Sequence, residues 1–260
     1  MFPWKTALVT GASAGIGEAI TEQLIAGGVH TTVVARRGDR LEAMAKRSSL
    51  VEPLVADLGT DDGCARVAAR LQDAEHPIEL LVNNAGFGVS GPVASLRQSE
   101  ALGMIDVNLR ALTALTHASL QPMLAANRGW ILQVSSVASF QPGPSAAIYS
   151  ATKAYVTSFT EALHEELRGT GVKVCALCPG FTRTEFHEVS NMSAEEVSNV
   201  PAFAWLSAEA VARSGLAAVA EGKALDIPGS LYKGVSALTN SLPRSVARRV
   251  MGLASQRLDK

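Results

Sequence analysis

The chain has 260 residues, of which 47% are hydrophobic and 18% are charged, and its formal net charge is -1. This balance gives no support to nucleic-acid binding, because nucleic-acid-binding surfaces are strongly basic. The sequence shows neither a signal-peptide pattern near Met1 nor an apolar run long enough to cross a bilayer, so we expect a cytoplasmic protein.

The first predicted strand, Thr6–Val9, leads into a glycine-rich turn and then into a helical pattern. Glycines let the backbone approach a pyrophosphate closely, and the N-terminus of the following helix offers unpaired N–H groups to it. Because strand and helix patterns alternate along the chain, the turn predicts a dinucleotide site on an α/β fold, a single Rossmann-type doubly wound parallel sheet with helices on both faces. The expected contacts in the turn are Gly11, Ser13, Ala14, Gly15, Ile16 and Gly17.

The second predicted strand, His30–Ala35, ends in Arg36 and Arg37. In dinucleotide folds this position, about 20 residues beyond the glycine turn, contacts the ribose. An acidic residue would accept a hydrogen bond from a 2′-hydroxyl, whereas two guanidiniums offer charge-assisted bonds to a 2′-phosphate. The pair therefore favours NADP(H). A solvated basic loop is the alternative, since Gly38, Asp39 and Arg40 follow.

Two further predicted strands end in residues that suit a nucleotide. The strand Val51–Ala56 ends at Asp57 and Leu58, and a carboxylate there can accept a bond from the adenine amine. A fourth strand, Ile78–Val82, is followed by small or amide residues that allow a ribose to lie close to the sheet. These residues are Asn83, Asn84, Ala85 and Gly86.

Tyr149 and Lys153 lie four residues apart, so they share a face if this segment is helical. For tyrosine to act as a general acid or base at neutral pH, its pKa must be lowered by about 3 units from about 10. An ammonium roughly 6 Å away contributes nearly 3 kcal/mol toward this at an effective dielectric constant of about 20. Ser136 follows the predicted buried strand Trp130–Val134, at the sheet end where open α/β sheets bind ligands. Taken alone, the Tyr–Lys spacing is better explained by an ordinary amphipathic helix.

In combination, these motifs resemble the short-chain dehydrogenase/reductase family over about Lys5 to Thr184. The matching segments are Thr10–Gly17, Asn83–Gly86, Ser136 and Tyr149-x-x-x-Lys153. The resemblance implies that Ser136, Tyr149 and Lys153 are catalytic and that Asn108, in a predicted helical tract from Ser99 to Asn127, holds a water in a proton relay with Lys153. It also implies that Asp57 and Leu58 meet the adenine, that Tyr149 and Lys153 contact the cofactor, and that the nicotinamide amide is held by the segment containing Pro179, Gly180, Thr182 and Thr184.

The activity implied by the resemblance is NADPH-dependent reduction of an aldehyde or ketone, or the reverse oxidation. Ser136 would hold the carbonyl oxygen and Tyr149 would give it a proton, while Lys153 lowers the pKa of Tyr149. The alternative is a catalytically silent NADP(H)-binding regulatory or scaffold protein, but the catalytic residues are all present, which favours the enzyme. Related enzymes pair helices across a two-fold axis, so a homodimer or homotetramer is expected through Ser99–Asn127 and Tyr149–Arg168.

The substrate is expected to lie between Phe87–Val89, Phe140–Gly143 and a flap over residues 185–206. The flap is apolar, which favours a lipophilic aldehyde or ketone over a sugar or a nucleotide. Its large apolar residues are Phe186, Met192, Phe203 and Trp205. We interpret His187 as a polar loop residue, and Cys175 and Cys178 as packing residues, with no metal site predicted.

Residues 230–260 are expected to form a helical extension of a single catalytic domain that spans residues 1–260. From Lys233 to Lys260 there are six Lys or Arg residues and one Asp, a local charge of +5. Four apolar residues of this segment share one helical face, namely Leu242, Val246, Val250 and Leu253. The pattern favours a helix docked on its own domain or on a sister subunit, and an interfacial helix on an anionic membrane is the alternative.

Overall fold

Strands and helices alternate along the chain in the computed structural model, which describes residues 2–186, 190, 198–241, 245–246 and 248–249. The strands are β1 Thr6–Thr10, β2 His30–Ala35, β3 Val51–Val55, β4 Leu80–Asn83, β5 Gly129–Val134, β6 Val172–Leu177, β7 Thr182–Arg183, β8 Leu206–Ser207 and β9 Leu225–Asp226. The helices are α1 Gly15–Ala26, α2 Gly38–Arg47, α3 Asp61–Leu71, α4 Gln98–Ile105, α5 Leu112–Ala125, α6 Ala147–Glu166, α7 Ala208–Glu221 and α8 Ser230–Ser241.

Seven strands form one parallel sheet in the order β3-β2-β1-β4-β5-β6-β9. The order reverses at β1, which has β2 on one side and β4 on the other. The carboxyl ends of β1 and β4 therefore border a crevice, which is where sheets of this kind bind ligands. The predicted fold class, a doubly wound parallel α/β sheet, is confirmed.

Both faces of the sheet are covered by apolar helices, because successive side chains of a strand point to opposite faces. Leu8 and Ile131 belong to a core closed by α3, α5 and α6, whereas Val9 and Leu132 belong to a core closed by α1, α2 and α7. Each such fully buried side chain contributes about 1.5–3 kcal/mol to folding. This rigid layer holds the loops at the carboxyl ends of the strands.

The predicted helical tract from Ser99 to Asn127 is interrupted. A π-helical segment, Asp106–Ala111, lies between α4 and α5 and contains Asn108. The Asn108 side chain bonds to the backbone of Phe87 and to Thr152, so it points toward the sheet. Local widening of a helix of this kind is frequent at functional sites.

The last strand of the sheet, β9, was not predicted from the sequence, because its two residues carry too little pattern to be recognised alone. It pairs with β6 through Ala176 and Leu177. At the two borders of the region that was predicted as a flap, β7 and β8 pair as a separate two-stranded ribbon. Within the described residues, no helix is both long and apolar enough to span a membrane. His187, Met192, Leu242, Val250 and Leu253 lie outside those residues.

Candidate active site

The glycine turn lies directly against the end of β4. Gly11 and Gly15 have φ angles of +65° and +60°, a backbone conformation that favours glycine. A Cβ atom at Gly17 would overlap the Asn84 amide nitrogen and the Gly11 carbonyl oxygen. The Asn84 side chain in turn donates to the Thr10 carbonyl oxygen at 2.9 Å and to that of Gly11 at 3.2 Å. The turn thus needs glycine for its own geometry and is held rigidly by Asn84.

No side chain caps the N-terminus of α1 at Ala14. Its first backbone N–H groups therefore keep the capacity to bind an anion, and the positive end of the helix dipole adds to the attraction. The turn borders a cavity of about 910 Å³ that continues along the ends of β1, β4 and β5. These features fit the pyrophosphate of a dinucleotide.

Arg36 and Arg37, predicted as a pair, have different environments. Arg36 is exposed and lines the cavity, and its side chain makes no hydrogen bond or ion pair with any other residue that the structure describes. Arg37 donates from Nε and Nη2 to the Ser13 hydroxyl, at 3.2 and 3.0 Å, and from Nη1 to the Glu185 carboxylate at 2.9 Å. Sequence reasoning treated Arg40 only as part of a basic loop, yet its Nη1 donates to the same carboxylate at 2.7 Å.

Asp57 and Leu58 line the cavity beyond Arg36, as predicted. Leu58 is buried, and one carboxylate oxygen of Asp57 accepts the Gly59 N–H at 2.9 Å. That bond shapes the turn and leaves the second carboxylate oxygen of Asp57 available. Ala85 and Gly86, in the loop after β4, also line the cavity.

Ser136, Tyr149 and Lys153 line the same cavity. Helix α6 carries Tyr149 and Lys153 on one face, as their spacing predicted, and the Lys153 Nζ atom lies 5.8 Å from the centroid of the Tyr149 ring. Lys153 Nζ donates to the Val134 carbonyl oxygen at 2.9 Å. The Ser136 hydroxyl accepts the Ala138 N–H at 3.1 Å and lies near the Tyr149 phenol.

The two titratable groups shift in opposite directions. Burial raises the pKa of Tyr149 to about 12, against an opposing hydrogen bond from Ser136, and burial lowers the pKa of Lys153 to about 8. We expected Lys153 to lower the pKa of Tyr149, and this prediction is wrong for the protein without bound coenzyme. The reason is the order of ionisation: Lys153 has lost its charge before Tyr149 ionises, so no ammonium is present to stabilise the phenolate.

Asn108 is almost completely buried and connects two elements of the site. Its Oδ1 atom accepts the Phe87 N–H at 3.1 Å, and its Nδ2 atom donates to the Phe87 carbonyl oxygen at 2.9 Å and to Thr152 Oγ1 at 3.0 Å. A Cβ atom placed at Gly86 would lie 3.0 Å from Asn108 Oδ1 and 3.4 Å from Lys153 Nζ. Asn108 thus fixes the loop after β4 and lies close to the lysine, and Oδ1 keeps one lone pair.

The loop from Pro179 to Thr184 contacts the glycine turn at one end and α8 at the other. A Cβ atom at Gly15 would lie 3.0 Å from Thr184 Cβ, so these two segments are in contact. The phenol of Tyr232, in α8, accepts the Phe181 N–H at 3.0 Å and donates to the Ala204 carbonyl oxygen at 2.7 Å. Sequence reasoning missed Tyr232, whose only signal was an aromatic residue in the expected C-terminal helix.

The remaining wall of the cavity is largely apolar. Phe186 lies across the Tyr149 ring with centroids 5.7 Å apart, and Gly88 leaves room for that ring on another side. Other lining residues include Phe87, Val89, Val137, Gln141, Gly143, Pro144 and Val235. Phe140, Phe203 and Trp205 are not among the lining residues, contrary to expectation: Phe203 is 78% exposed, and Trp205 packs on Phe181.

The three cysteines are buried with free thiols, which agrees with a packing role for Cys175 and Cys178. A search of the described residues finds no group of three or more His, Cys, Asp or Glu residues placed to hold a metal ion.

Comparison with known proteins identifies the family to which this arrangement belongs. The model of the short chain dehydrogenase family matches residues 5–195. The chain belongs to the short chain dehydrogenase family. This short chain dehydrogenase is 32% identical to serine 3-dehydrogenase of Agrobacterium fabrum, over 75% of its own length and 78% of that protein.

Two solved structures resemble the whole fold. One, from Sphingobium yanoikuyae in complex with NADPH, has a TM-score of 0.80 and 30% identity, covering 92% of this chain and 96% of that one. The other is an alcohol dehydrogenase from Comamonas testosteroni described as specific for bulky-bulky ketones. It has a TM-score of 0.76 and 27% identity, covering 92% of this chain and 95% of that one.

Proposed function

We propose that this short chain dehydrogenase uses NADP(H) to interconvert an aldehyde or ketone with the corresponding alcohol. The observation that carries the proposal is the position of Ser136, Tyr149 and Lys153 on one wall of a cavity whose other end is lined by Arg36. One end holds groups for proton transfer to an oxygen, and the other holds a cation for a phosphate. A protein that bound NADP(H) without turnover would need the cation but not the proton-transfer groups.

Several features support NADP(H) as the coenzyme. The exposed Arg36 guanidinium is available to a 2′-phosphate, and residues 35–37 at the end of β2 include no Asp or Glu that could accept a hydrogen bond from an unphosphorylated 2′-hydroxyl. The Sphingobium relative was solved with NADPH. The residues proposed to contact the coenzyme are Gly11, Ser13, Ala14, Gly15, Ile16, Gly17, Arg36, Arg37, Asp57, Leu58, Asn84, Ala85, Gly86, Tyr149, Lys153, Pro179, Gly180, Thr182 and Thr184.

The proposed acid is the Tyr149 phenol. Burial raises its pKa to about 12, so the phenol is protonated in the protein alone, and the cationic ring of the oxidised coenzyme would lower this pKa toward the operating pH when bound. The Ser136 hydroxyl lies beside the phenol and holds the same oxygen. Bound NADP(H) supplies or accepts the hydride. Positioned proton transfer of this kind typically contributes about 10²- to 10⁴-fold to the rate.

Lys153 and Asn108 are proposed to replace the proton that Tyr149 gives up. The lowered pKa of Lys153, about 8, lets this amine lose and regain a proton close to neutral pH. Asn108 Oδ1 keeps a lone pair near the amine and can hold the water that carries the proton onward. In the oxidation direction the same groups accept the proton.

The favoured substrate is a lipophilic aldehyde or ketone. Phe186 and Phe87 line the cavity around Tyr149, and Val89, Val137 and Val235 extend the apolar wall. A charged substrate would find no described Lys or Arg side chain there except Lys153, which the chemistry uses. The amino-acid substrate of serine 3-dehydrogenase is therefore a less suitable guide than the ketone of the Comamonas enzyme.

A homodimer or homotetramer is part of the proposal. Large apolar side chains are exposed on α4 and α6, the region expected to pair between subunits: Leu102 is 51% exposed, Ile105 41% and Tyr155 37%. Exposed apolar side chains close together on neighbouring helices are typical of interaction sites. The cytoplasmic location stays a prediction from the sequence.

The test is a panel of aldehydes and ketones, from short and charged to long and apolar, with NADPH consumption followed by absorbance. We expect turnover that increases with apolar size and is slower with NADH. Absence of turnover for the whole panel, with NADPH shown to bind, would favour the scaffold alternative. Turnover restricted to charged substrates would contradict the substrate class alone.

A further inference from the structure

The carboxylate of Glu185 lies between two arginines at the nucleotide end of the cavity. One oxygen accepts a bond from Arg37 Nη1 at 2.9 Å, and the other accepts a bond from Arg40 Nη1 at 2.7 Å. All three side chains are between 42% and 44% exposed, so the group is open to solvent. We refer to Arg37, Arg40 and the Ser13 hydroxyl as the arginine fork.

The arginine fork is attached to the glycine turn through Ser13. Arg37 donates from Nε and Nη2 to Ser13 Oγ, and Arg40 Nη1 donates to the Ser13 carbonyl oxygen at 3.1 Å. Both guanidiniums are thereby fixed next to the first turn of α1. Two guanidiniums and a hydroxyl around one anion are the chemistry that binds phosphate.

We propose that Glu185 occupies the anion site of the coenzyme 2′-phosphate, that NADP(H) must displace it to bind, and that Arg40 is a further phosphate ligand. This inference rests on the NADP(H) preference proposed above. Each side-chain nitrogen of Arg37 already has a partner in Ser13 or Glu185, so a phosphate that reaches Arg37 competes directly with the carboxylate. Two anions in one fork also repel each other.

Competition by Glu185 makes it a determinant of coenzyme specificity. The carboxylate opposes only a ligand that brings its own charge to the fork, so it weakens NADPH and leaves NADH nearly unaffected. Exposed ion pairs are weak individually, and loss of two of them corresponds to roughly a two- to tenfold change in affinity. Arg36, whose side chain has no partner among the described residues, remains available to the phosphate throughout.

The test measures binding of adenosine 2′,5′-bisphosphate and of 5′-AMP by calorimetry, which requires no turnover. In Glu185→Gln we expect the bisphosphate to bind roughly two- to tenfold more tightly and 5′-AMP to change less than about twofold. Glu22→Gln is the matched control, because Glu22 pairs with Arg47 at 2.7 Å in an exposed ion pair and is not among the residues that line the cavity. This control should change neither affinity.

A second variant tests Arg40. Adding Arg40→Ala to Glu185→Gln should abolish the gain in affinity for the bisphosphate, because the 2′-phosphate then loses Arg40 as a ligand. The inference is overturned if Glu185→Gln weakens the bisphosphate, leaves it unchanged or tightens both probes equally. A wild-type protein that binds the two probes equally would instead contradict the proposed NADP(H) preference, and a preference that appears in Glu185→Gln would still support the inference.

Discussion

The ring of Tyr232 lies directly against Gly180, although the two residues are 52 positions apart in the sequence. A Cβ atom at position 180 would overlap the ring. The Tyr232 phenol also bridges the Phe181 N–H and the Ala204 carbonyl oxygen. One side chain of α8 therefore holds both the loop proposed to bind the nicotinamide and the segment that leads into β8.

Gly180→Ala is expected to destabilise the protein by about 1–3 kcal/mol, because the added methyl group forces Tyr232 or the loop to move. Urea unfolding measures the change. Gly234→Ala is the control: among the described residues outside its own turn of helix, no atom lies within 4 Å of the added methyl group, and alanine in a helix is favoured over glycine by about 0.5–1 kcal/mol. In a Tyr232→Ala background the cost of Gly180→Ala should shrink. An undiminished cost would show that Tyr232 is not its cause.

Tyr149→Phe should abolish turnover and leave NADPH binding nearly unchanged, because it removes one transferable proton and little packing. Steady-state rates and a binding titration check the two parts separately. Tyr155→Phe is the matched control on the same helix, since the Tyr155 phenol bonds Thr113 at 2.8 Å and is not among the residues that line the cavity. Turnover of Tyr149→Phe within a few-fold of wild type would rule out the proposed acid.

Arg36→Ala should weaken NADPH by roughly 10- to 100-fold and leave NADH almost unchanged, because a charge-assisted hydrogen bond to the 2′-phosphate contributes about 1.5–3 kcal/mol. Arg37→Ala should have a smaller effect, since Ser13 and Glu185 already engage Arg37. Dissociation constants for both coenzymes provide the measurement, with Arg47→Ala as a control for lost charge. An equal loss for NADH and NADPH would mean that Arg36 only supports the loop.

Lys153 makes stability depend on pH. Its pKa falls from 10.5 to about 8 on folding. Between these values the unfolded lysine carries a proton that the folded lysine has lost, so the unfolded state binds more protons and the free energy of unfolding rises with pH. Below about pH 8 both states are protonated and the penalty for burying the charge is constant.

Comparison with Lys153→Met isolates the contribution of Lys153. The cysteine thiols and Tyr149 have raised pKa values, which lower the free energy of unfolding at higher pH, and they are present in both proteins. The difference in unfolding free energy, wild type minus Lys153→Met, should rise by about 1.4 kcal/mol from pH 7 to pH 9. Urea titrations at both pH values measure it. A difference that stays constant would mean that the Lys153 amine keeps an ordinary pKa in the folded protein.

Ile105→Arg should convert the oligomer to a monomer, because it places a charge on the exposed apolar surface of α4. Light scattering at micromolar concentration measures the mass, and the wild type is expected to be a dimer or tetramer. Val93→Arg, at an exposed apolar position in the short 3-10 turn before α4, should leave the mass unchanged. A monomeric wild type would contradict the proposed assembly.

The sequence by itself determined where β1 to β5 lie along the chain and which residues follow them. Val9, Val34 and Val82 lie in short apolar runs, and each run leads into a glycine turn, an arginine pair or a small amide segment. These are local patterns, since burial of a parallel strand requires several consecutive apolar residues and a nucleotide requires small or charged residues directly after them. The helical spacing of Tyr149 and Lys153 is local in the same sense.

Only the tertiary structure determined which of these side chains are available to a ligand and in which direction their pKa values shift. The Glu185 carboxylate meets Arg37 across 148 positions, and Tyr232 meets Gly180 across 52, so no local pattern records either contact. The pKa values of Tyr149 and Lys153 result from burial, which depends on what packs around them and not on their spacing. The sequence contains the chemical groups of the site. Long-range packing determines which of these groups lie next to one another and which of them are charged.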